Sequence, residues 1–185
     1  MFQKNSMIAK TEIQTPLGRM FACATERGIC LLEFDNRKNY LTQLSKLALS
    51  LNDEIKDGES PFFEPLKKEL EEYFQGKRTE FTVPIQLVGT DFQKKVWSEL
   101  LKIPYGETIS YKQLAVRTGD PNASRAVANS NGKNKISLIV PCHRVIGANG
   151  TLTGYAGGLE RKKHLLGLEG VYNNFPVKNN TAIEK

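Results

Sequence analysis

The residues with the clearest capacity for chemistry are Cys142 and His143, which directly follow Pro141. A cysteine attacks as its thiolate, and an isolated thiol with a pKa of about 8.5 supplies only a small fraction of thiolate at neutral pH. A neighbouring base is therefore expected, and His143 is one of two histidines in the chain. A carboxylate is in turn expected to orient the imidazole, as in a catalytic triad. From residue 90 onwards the chain has seven acidic residues, and their pattern alone does not choose among them.

The Cys-His dipeptide leaves two questions open. Neighbouring side chains of an extended strand point to opposite sides, so a direct contact between Cys142 and His143 would be strained. A bridging water or a turn at Pro141 would solve this. A lone cysteine is also more often a small core residue than a reactive one. The dipeptide by itself therefore does not separate a nucleophile from a core residue.

The composition narrows the class of protein. With 185 residues, 39% of them hydrophobic and 25% charged, the chain is typical of a globular protein with one or two small domains. Its first residues lack the apolar core of a signal peptide, and no apolar run approaches the roughly 20 residues that span a bilayer. The three cysteines are an odd number and are expected to be reduced thiols. These features predict a cytoplasmic location.

The net charge of +6 is unevenly distributed along the chain. Residues 1–89 hold 12 basic and 13 acidic residues, whereas residues 90–185 hold 14 basic and 7 acidic ones. Such an excess is typical of a nucleic-acid-binding face, although a solvated basic face without a partner fits it equally well.

The first half of the sequence predicts a small α/β unit. Turn residues at Pro16-Leu17-Gly18 and Glu26-Arg27-Gly28 delimit three strands in an antiparallel meander. The predicted strands are Ala9–Gln14, Gly18–Thr25 and Gly28–Asp35. Two amphipathic helices follow, and an extended connection over Arg78–Gly89 ends the unit. The apolar faces of these helices are predicted to be Leu41, Leu44, Leu47 and Leu51, and then Phe63, Leu66, Leu70, Tyr73 and Phe74.

The second half predicts short helices in a helix-turn-helix arrangement. Thr90 with Gln93 and Ser110 with Gln113 form capping boxes that begin two of them. The first is predicted to bury Phe92, Val96 and Leu100. A further helix, Pro121–Gly132, follows the second after a tight turn at Gly119. Its residues are mostly small, which favours close approach to a phosphate backbone or, alternatively, tight packing against a neighbouring helix.

The remaining segments surround the Cys-His dipeptide. An apolar run, Ser137–Val140, is predicted to be buried and leads directly to Pro141. A glycine-rich stretch then predicts a wing or a pocket wall, and a last helix covers Leu159–Leu168. His164 on that helix is predicted to be a surface residue, and the tail from Asn173 is expected to be mobile.

The five residues Pro141-Cys142-His143-Arg144-Val145 resemble the active-site signature of the O6-alkylguanine-DNA alkyltransferase family, also called methylated-DNA–protein-cysteine S-methyltransferases, in its stand-alone microbial form. The similarity covers nearly the whole chain, from the Thr15-Pro16-Leu17-Gly18 turn to Glu169-Gly170. It implies an α+β fold, with a small N-terminal α/β domain that has a ribonuclease H-like antiparallel sheet, then a mostly helical domain of the winged helix-turn-helix type. The corresponding domains are residues 1–89 and 90–172, followed by a flexible tail over 173–185.

The resemblance also implies an activity. Members of this family flip O6-methylguanine out of double-stranded DNA, which they bind through the minor groove, and transfer its alkyl group to their own cysteine. Here the acceptor would be Cys142, the product an irreversible S-methylcysteine, and O4-methylthymine a less efficient substrate. Each molecule would act once, as a monomer and without a cofactor or metal.

Residue roles follow from the same resemblance. Asn134 matches a hinge asparagine eight positions before the cysteine, and Tyr111 matches a tyrosine that crowds the target phosphate and donates a proton to guanine. Glu169 matches the acid of a Glu-His-water-Cys network. Arg125 matches the arginine that fills the gap left by the flipped base. The other expected DNA-binding residues are Ser124, Ala126, Ala128, Asn129, Lys133 and Lys135.

The guanine pocket is expected in the Gly154–Leu159 segment, with Tyr155 as a wall and the Ala156 amide near O6. Val145 and Trp97 are expected to border it, Trp97 from within the core. Ala156 stands where some members have serine, which removes a hydroxyl donor and is expected to widen the range of accepted alkyl groups.

Three further positions depart from the family pattern. Lys135 replaces a common proline, which is expected to loosen the loop and add a charge that reaches a phosphate. Asn129 and Ser130 replace frequent Gly and Ala, which predicts a bulkier surface towards the groove.

Some relatives bind a structural zinc ion in the N-terminal domain. Cys23 and Cys30 lie there without a histidine, so they are interpreted as strand thiols and no metal is expected. Three other functions fit parts of the sequence: a non-enzymatic alkyltransferase-like protein, a transcription regulator and a thiol hydrolase. The presence of Cys142, the short chain and the lack of a separate oxyanion hole argue against each in turn.

Overall fold

The computed structural model describes residues 7–35 and 40–171. The predicted tail, 173–185, lies outside the described residues. The three predicted strands are present and form the antiparallel meander, with bounds β1 (Met7–Thr15), β2 (Gly18–Thr25) and β3 (Gly28–Phe34). A fourth strand, β4 (Glu54–Asp57), pairs parallel to β1 and completes the order β3-β2-β1-β4. β4 was not predicted from the sequence, because it is short, largely exposed and without an apolar pattern.

Two helices pack against this sheet, α1 (Tyr40–Leu51) and α2 (Phe63–Phe74). On α1, Leu47 is fully buried, but Leu41 is 74% exposed, so its predicted place on the buried face is wrong. Tyr40 takes that place, since its ring stacks on Phe21 at 4.4 Å and the next residue of the helix must then point elsewhere. On α2 the predicted apolar face is buried, apart from the half-buried Phe74 at its end.

The second half is mostly helical. Its elements are α3 (Asp91–Leu100), β5 (Ile109–Ser110), α4 (Tyr111–Arg117), α5 (Ser124–Gly132), a 3₁₀ turn (Cys142–Arg144), β6 (Val145–Ile146) and α6 (Leu159–Leu168). Both predicted capping boxes are present at the starts of α3 and α4. Together with the N-terminal antiparallel sheet, these elements confirm the predicted α+β class.

Two local predictions in this half are wrong. Phe92 is 40% exposed, and α3 buries Trp97 beside Val96 and Leu100 instead. The helix predicted from Pro121 begins only at Ser124. Asp120 closes a turn before it by accepting hydrogen bonds from the backbone N–H of Asn122 (2.8 Å) and of Ala123 (3.1 Å).

The two halves share one hydrophobic core, and backbone hydrogen bonds fasten the segment before Cys142 to the sheet. The N–H of Leu32 in β3 donates to the Lys135 carbonyl at 2.8 Å, and the N–H of Ser137 donates back to the Leu32 carbonyl at 2.8 Å. Ser137–Val140 is buried, as predicted. The N-terminal sheet therefore acts as a rigid support for the chain that carries Cys142.

A second, smaller cluster of buried side chains lies under α1 and includes Cys23 and Cys30. Both are buried free thiols, as expected of strand residues, and burial raises the pKa of Cys30 to about 12. Within the described ranges, 7–35 and 40–171, no helix combines the length and the apolarity needed to cross a membrane.

Candidate active site

Cys142 lies in a tight turn rather than in an extended strand. Its N–H donates to the Val140 carbonyl at 2.8 Å, and the N–H of Arg144 donates to the Pro141 carbonyl at 3.0 Å, which closes the 3₁₀ turn. The turn predicted as one solution at Pro141 is thus present. With three residues per turn, a 3₁₀ turn separates neighbouring side chains by about 120° rather than the 180° of a strand. The cysteine is 5% exposed.

Asn134 holds both the turn and the sulfur. Its Nδ2 donates to the Val140 carbonyl at 2.9 Å and contacts Cys142 Sγ at 3.1 Å, while its Oδ1 accepts the N–H of Ile136 at 2.9 Å. The side chain is 3% exposed. An amide donor directed at sulfur favours the thiolate over the thiol, because a hydrogen bond to the charged form stabilises that form.

Glu169 is the buried acceptor of the site. Its Oε1 accepts from His143 Nε2 at 2.7 Å and from the Tyr73 hydroxyl at 2.7 Å. Arg144 binds both carboxylate oxygens, through Nε at 2.8 Å and Nη2 at 3.0 Å. Burial alone would raise the pKa of Glu169, but the hydrogen bond from His143 and the hydrogen bonds and charge of Arg144 lower it to about 2. Glu169 is therefore a carboxylate throughout the physiological pH range.

His143 is fully buried and neutral. Burial lowers its pKa below 6.5, and the charges of Arg144 and Lys162 lower it further, against the opposing effect of Glu169. Because Glu169 already forms an ion pair with Arg144, little of its charge is left to stabilise an imidazolium. With Nε2–H donating to the carboxylate, the lone pair lies on Nδ1, which is buried and has no hydrogen-bond partner in the part of the chain that the structure describes.

Lys162 is a fully buried lysine of α6. Its Nζ donates to the carbonyls of Val145 (2.5 Å), Thr153 (2.9 Å) and Gly154 (3.4 Å), and thereby ties the turn, the glycine-rich segment and α6 together. Burial lowers the pKa of Lys162 to about 8, and the charge of Cys142 opposes this shift. The ammonium is thus a buried positive charge within electrostatic reach of the sulfur.

Two tyrosines lie close enough to interact electrostatically with the cysteine. The hydroxyl of Tyr111 donates to the Thr153 carbonyl at 3.1 Å, and its pKa is raised by burial and by the charge of Cys142. Tyr155 has its hydroxyl buried, and the same two causes raise its pKa well above the usual value. Both phenols therefore keep their protons at neutral pH. Val145 is buried beside them in β6, and Ala156 is exposed.

Trp97 packs on another side of the core. Its Nε1 donates to the Ser130 carbonyl at 2.8 Å, and the ammonium of Lys135 lies 5.3 Å from the ring centroid. These contacts hold α3 against α5. Its role at the pocket stays a prediction.

The predicted DNA-binding residues divide by exposure. On α5, Arg125, Ala126 and Asn129 are exposed, whereas Ser124 and Ala128 are half-buried. Lys133, which caps the C-terminal end of this helix, is exposed as well. These residues leave α5 with a surface of small side chains and one long cation, Arg125.

Two expectations about departures from the family pattern need correction. Ser130 is 4% exposed, so it does not enlarge the surface of α5, because its position on the helix faces the core. The ammonium of Lys135 donates to the Val88 carbonyl at 2.7 Å, which fastens the loop rather than loosening it. The Lys135 charge is thereby directed at the protein.

Three residues of this site were not singled out from the sequence. The motif contains Arg144 but assigns it no role, and the helix pattern predicts Tyr73 only as core of α2. Lys162 precedes His164 by two residues on α6, and His164 is exposed, as predicted. In the described ranges no cluster of His, Cys, Asp and Glu could hold a metal ion.

Comparison with known proteins gives two family matches and close structural relatives. Residues 8–87 match the ribonuclease-like domain of 6-O-methylguanine DNA methyltransferase, and residues 91–171 match its DNA-binding domain. The protein named methylated-DNA–protein-cysteine methyltransferase from Methanosarcina acetivorans is 43% identical over 157 residues, which cover 85% of this chain and 95% of the relative.

Two solved structures from Mycobacterium tuberculosis are similar over most of the chain. The O6-methylguanine methyltransferase has a TM-score of 0.75 at 41% identity, and the match covers 88% of this chain and 93% of the methyltransferase chain. A complex of the OGT protein with DNA has a TM-score of 0.74 at 41% identity, and the match covers 87% of this chain and 92% of the OGT chain.

Replacing Tyr73 by Phe tests the charge state of Glu169. The variant loses a hydrogen bond to a buried carboxylate, so the free energy of unfolding should fall by about 1.5–3 kcal/mol at pH 7. The depressed pKa of Glu169 adds stability that is present above its ordinary value of 4.5 and is lost as the pH falls towards about 2. Losing the hydroxyl raises the pKa of Glu169. The difference in free energy of unfolding between wild type and Tyr73→Phe, measured by urea unfolding, should therefore narrow as the pH falls from 4.5 towards about 2.

Tyr105→Phe is the matched control, since the Tyr105 hydroxyl donates to the Leu168 carbonyl at 3.0 Å rather than to the carboxylate. Its effect on the free energy of unfolding should not change with acidification. An equal pH dependence for both variants would show that Glu169 is not the titrating group.

Proposed function

Because the chain belongs to the 6-O-methylguanine DNA methyltransferase family, we propose that it repairs alkylated DNA by transferring the alkyl group from O6 of guanine to Cys142 Sγ. The observation that carries this proposal is the buried pair of His143 and Glu169, at 2.7 Å, next to a cysteine whose sulfur lies 3.1 Å from Asn134 Nδ2. A core cysteine has no need of a base, a carboxylate and an amide donor around it. The predicted cytoplasmic location and monomeric state stay predictions.

The thiolate arises from a base and two stabilising groups. His143 Nδ1 takes the thiol proton through a bridging water, a role that suits a buried imidazole nitrogen to which no described residue is hydrogen-bonded. The amide of Asn134 and the ammonium of Lys162 then favour the negative sulfur. Glu169 keeps the imidazole in the tautomer that this step needs.

The transfer is an in-line displacement. The sulfur lone pair forms a bond to the alkyl carbon, and the carbon–O6 bond breaks with its electron pair moving onto guanine. The Tyr111 hydroxyl, whose raised pKa keeps it protonated, donates a proton to N3 of the departing base and regains one from solvent. The thioether has no leaving group that would restore the thiol, so each chain acts once. O4-methylthymine is expected to react less efficiently by the same route.

The base reaches the sulfur by flipping out of the duplex. The small exposed residues of α5 suit close approach to the minor groove, where base identity is poorly distinguished, and this fits a protein that must examine any sequence. Unstacking costs about a few kcal/mol, and Arg125 offsets part of this cost by entering the vacated space. Tyr155, Val145 and the Ala156 backbone form the walls against which the flipped purine rests.

Labelled O6-methylguanine in duplex DNA tests the transfer. Wild-type protein should take up one label per chain at Cys142, as measured by mass spectrometry of its peptides, and then stop. Cys142→Ala should bind the same DNA without becoming labelled, and Cys23→Ala should label normally because that thiol is buried in the sheet. Repeated turnover, or labelled DNA that is bound without any transfer to wild-type protein, would contradict the proposal.

Arg125→Ala tests the entry of the side chain into the duplex. We expect about tenfold slower transfer from a fully paired duplex, since one stabilising contact of roughly 1.4 kcal/mol is lost. The defect should be much smaller when the damaged base lies opposite an abasic site, where flipping costs less. Asn129→Ala, an exposed change on the same helix, serves as the control. An equal loss for Arg125→Ala on both substrates would indicate simple phosphate binding.

A further inference from the structure

A groove rich in lysine runs between α1 of the N-terminal half and the start of α3. It has a volume of about 640 Å³, and residues 86–90 form part of its wall. Four lysines line it, Lys46, Lys94, Lys133 and Lys135, and we call it the lysine groove. Among the residues that the structure describes, no acidic one lines it. Asp91, in the first turn of α3, is exposed but lies outside the lining.

Some lysines elsewhere on the protein are paired with carboxylates, whereas the exposed lysines of this groove are not, within the described ranges. Lys67 and Lys102 have carboxylate partners at 2.7 Å and 2.6 Å. Lys46, Lys94 and Lys133 are exposed, and none of them forms an ion pair within the described ranges. The charge of Lys135 adds to theirs from the wall, where it is bonded to the Val88 carbonyl. The groove thus combines three exposed lysines that form no ion pair within the described ranges with the nearby charge of Lys135.

The groove begins where α5 ends. Lys133 directly follows α5 and is eight residues from Arg125, which corresponds to about 12 Å along a helix at 1.5 Å per residue. That distance spans about three to four base pairs of duplex, at 3.4 Å per pair. A polyanion bound along α5 would therefore meet the lysine groove on one side.

We propose that the lysine groove binds the sugar–phosphate backbone of the duplex on one side of the damaged base, so that Lys46 brings the N-terminal half into the DNA interface. This inference rests on the function proposed above, because it assumes that α5 lies on DNA. Phosphate contacts carry no sequence information, which suits a protein that must accept a lesion in any context. Each contact releases counterions, so its loss has a measurable effect on the salt dependence of binding.

Lys46→Gln in the full chain tests the proposal by fluorescence anisotropy with a duplex of about 20 base pairs. We expect the slope of log K against log salt to become less steep by about 0.9 and the affinity at low salt to fall about threefold, as for one lost phosphate contact. Lys46→Arg should restore both values. Lys77→Gln is the control, because Lys77 is also an exposed lysine of the N-terminal half but does not line the groove.

Duplexes shortened on one flank of the lesion test the position of the contact. Removing base pairs from one flank should abolish the difference between Lys46→Gln and wild type, and shortening the other flank should leave it intact. Equal behaviour of Lys46→Gln and Lys77→Gln would overturn the proposal. A change in self-association would also overturn the proposal. If wild type self-associates without DNA in sedimentation experiments and Lys46→Gln weakens this association, the groove binds a second copy of the chain.

Transfer at saturating DNA separates this inference from the proposed function. Lys46→Gln should label Cys142 at the wild-type rate once DNA is saturating. If wild type itself is never labelled, the proposed function fails. The salt slope on unmodified DNA still decides whether the groove binds a backbone.

Discussion

The site depends on one buried charge, the carboxylate of Glu169. An ionised carboxylate in a protein interior is strongly destabilising unless ion pairs and hydrogen bonds compensate it. Here Arg144 supplies a two-point ion pair, and Tyr73 and His143 supply one hydrogen bond each at 2.7 Å. These partners come from α2 and from the cysteine turn, and Glu169 itself caps the end of α6, so a single carboxylate joins three separate parts of the chain.

This arrangement also determines what His143 can do. A histidine paired with an otherwise free carboxylate tends to be protonated, which would make it useless as a base. Arg144 neutralises Glu169, so the imidazole stays neutral while its orientation is still imposed by the hydrogen bond. The cysteine is held with similar rigidity, because Asn134 fastens its turn and β3 fastens the segment that precedes it. Leu138, in that segment, has a φ of 72°, a conformation that is strained for leucine and persists because the surroundings enforce it.

Much of the fold was predictable from local patterns, and the failures have physical reasons. The strands of the meander and the two capping boxes follow from turn residues and from Thr and Ser at helix starts, which act locally. The exposed β4 has no such signal. For the site, the motif pointed to Cys142 and His143, but the acid came only from the family resemblance. Tyr73 looks like any core aromatic, and Lys162 looks like a surface lysine, because only tertiary packing shows that one touches Glu169 and the other is buried.

The central claim is that His143 is a neutral base at physiological pH, with its proton on Nε2 and its lone pair on Nδ1. Nitrogen-15 NMR of the histidine rings measures this directly, and the chain has only one other histidine, the exposed His164, which His164→Gln identifies. At pH 7 the account predicts a neutral His143 ring with a protonated Nε2, unchanged as the pH falls below 6.5, where an ordinary histidine gains its second proton. An imidazolium at pH 7, or a proton on Nδ1 in place of Nε2, would contradict it.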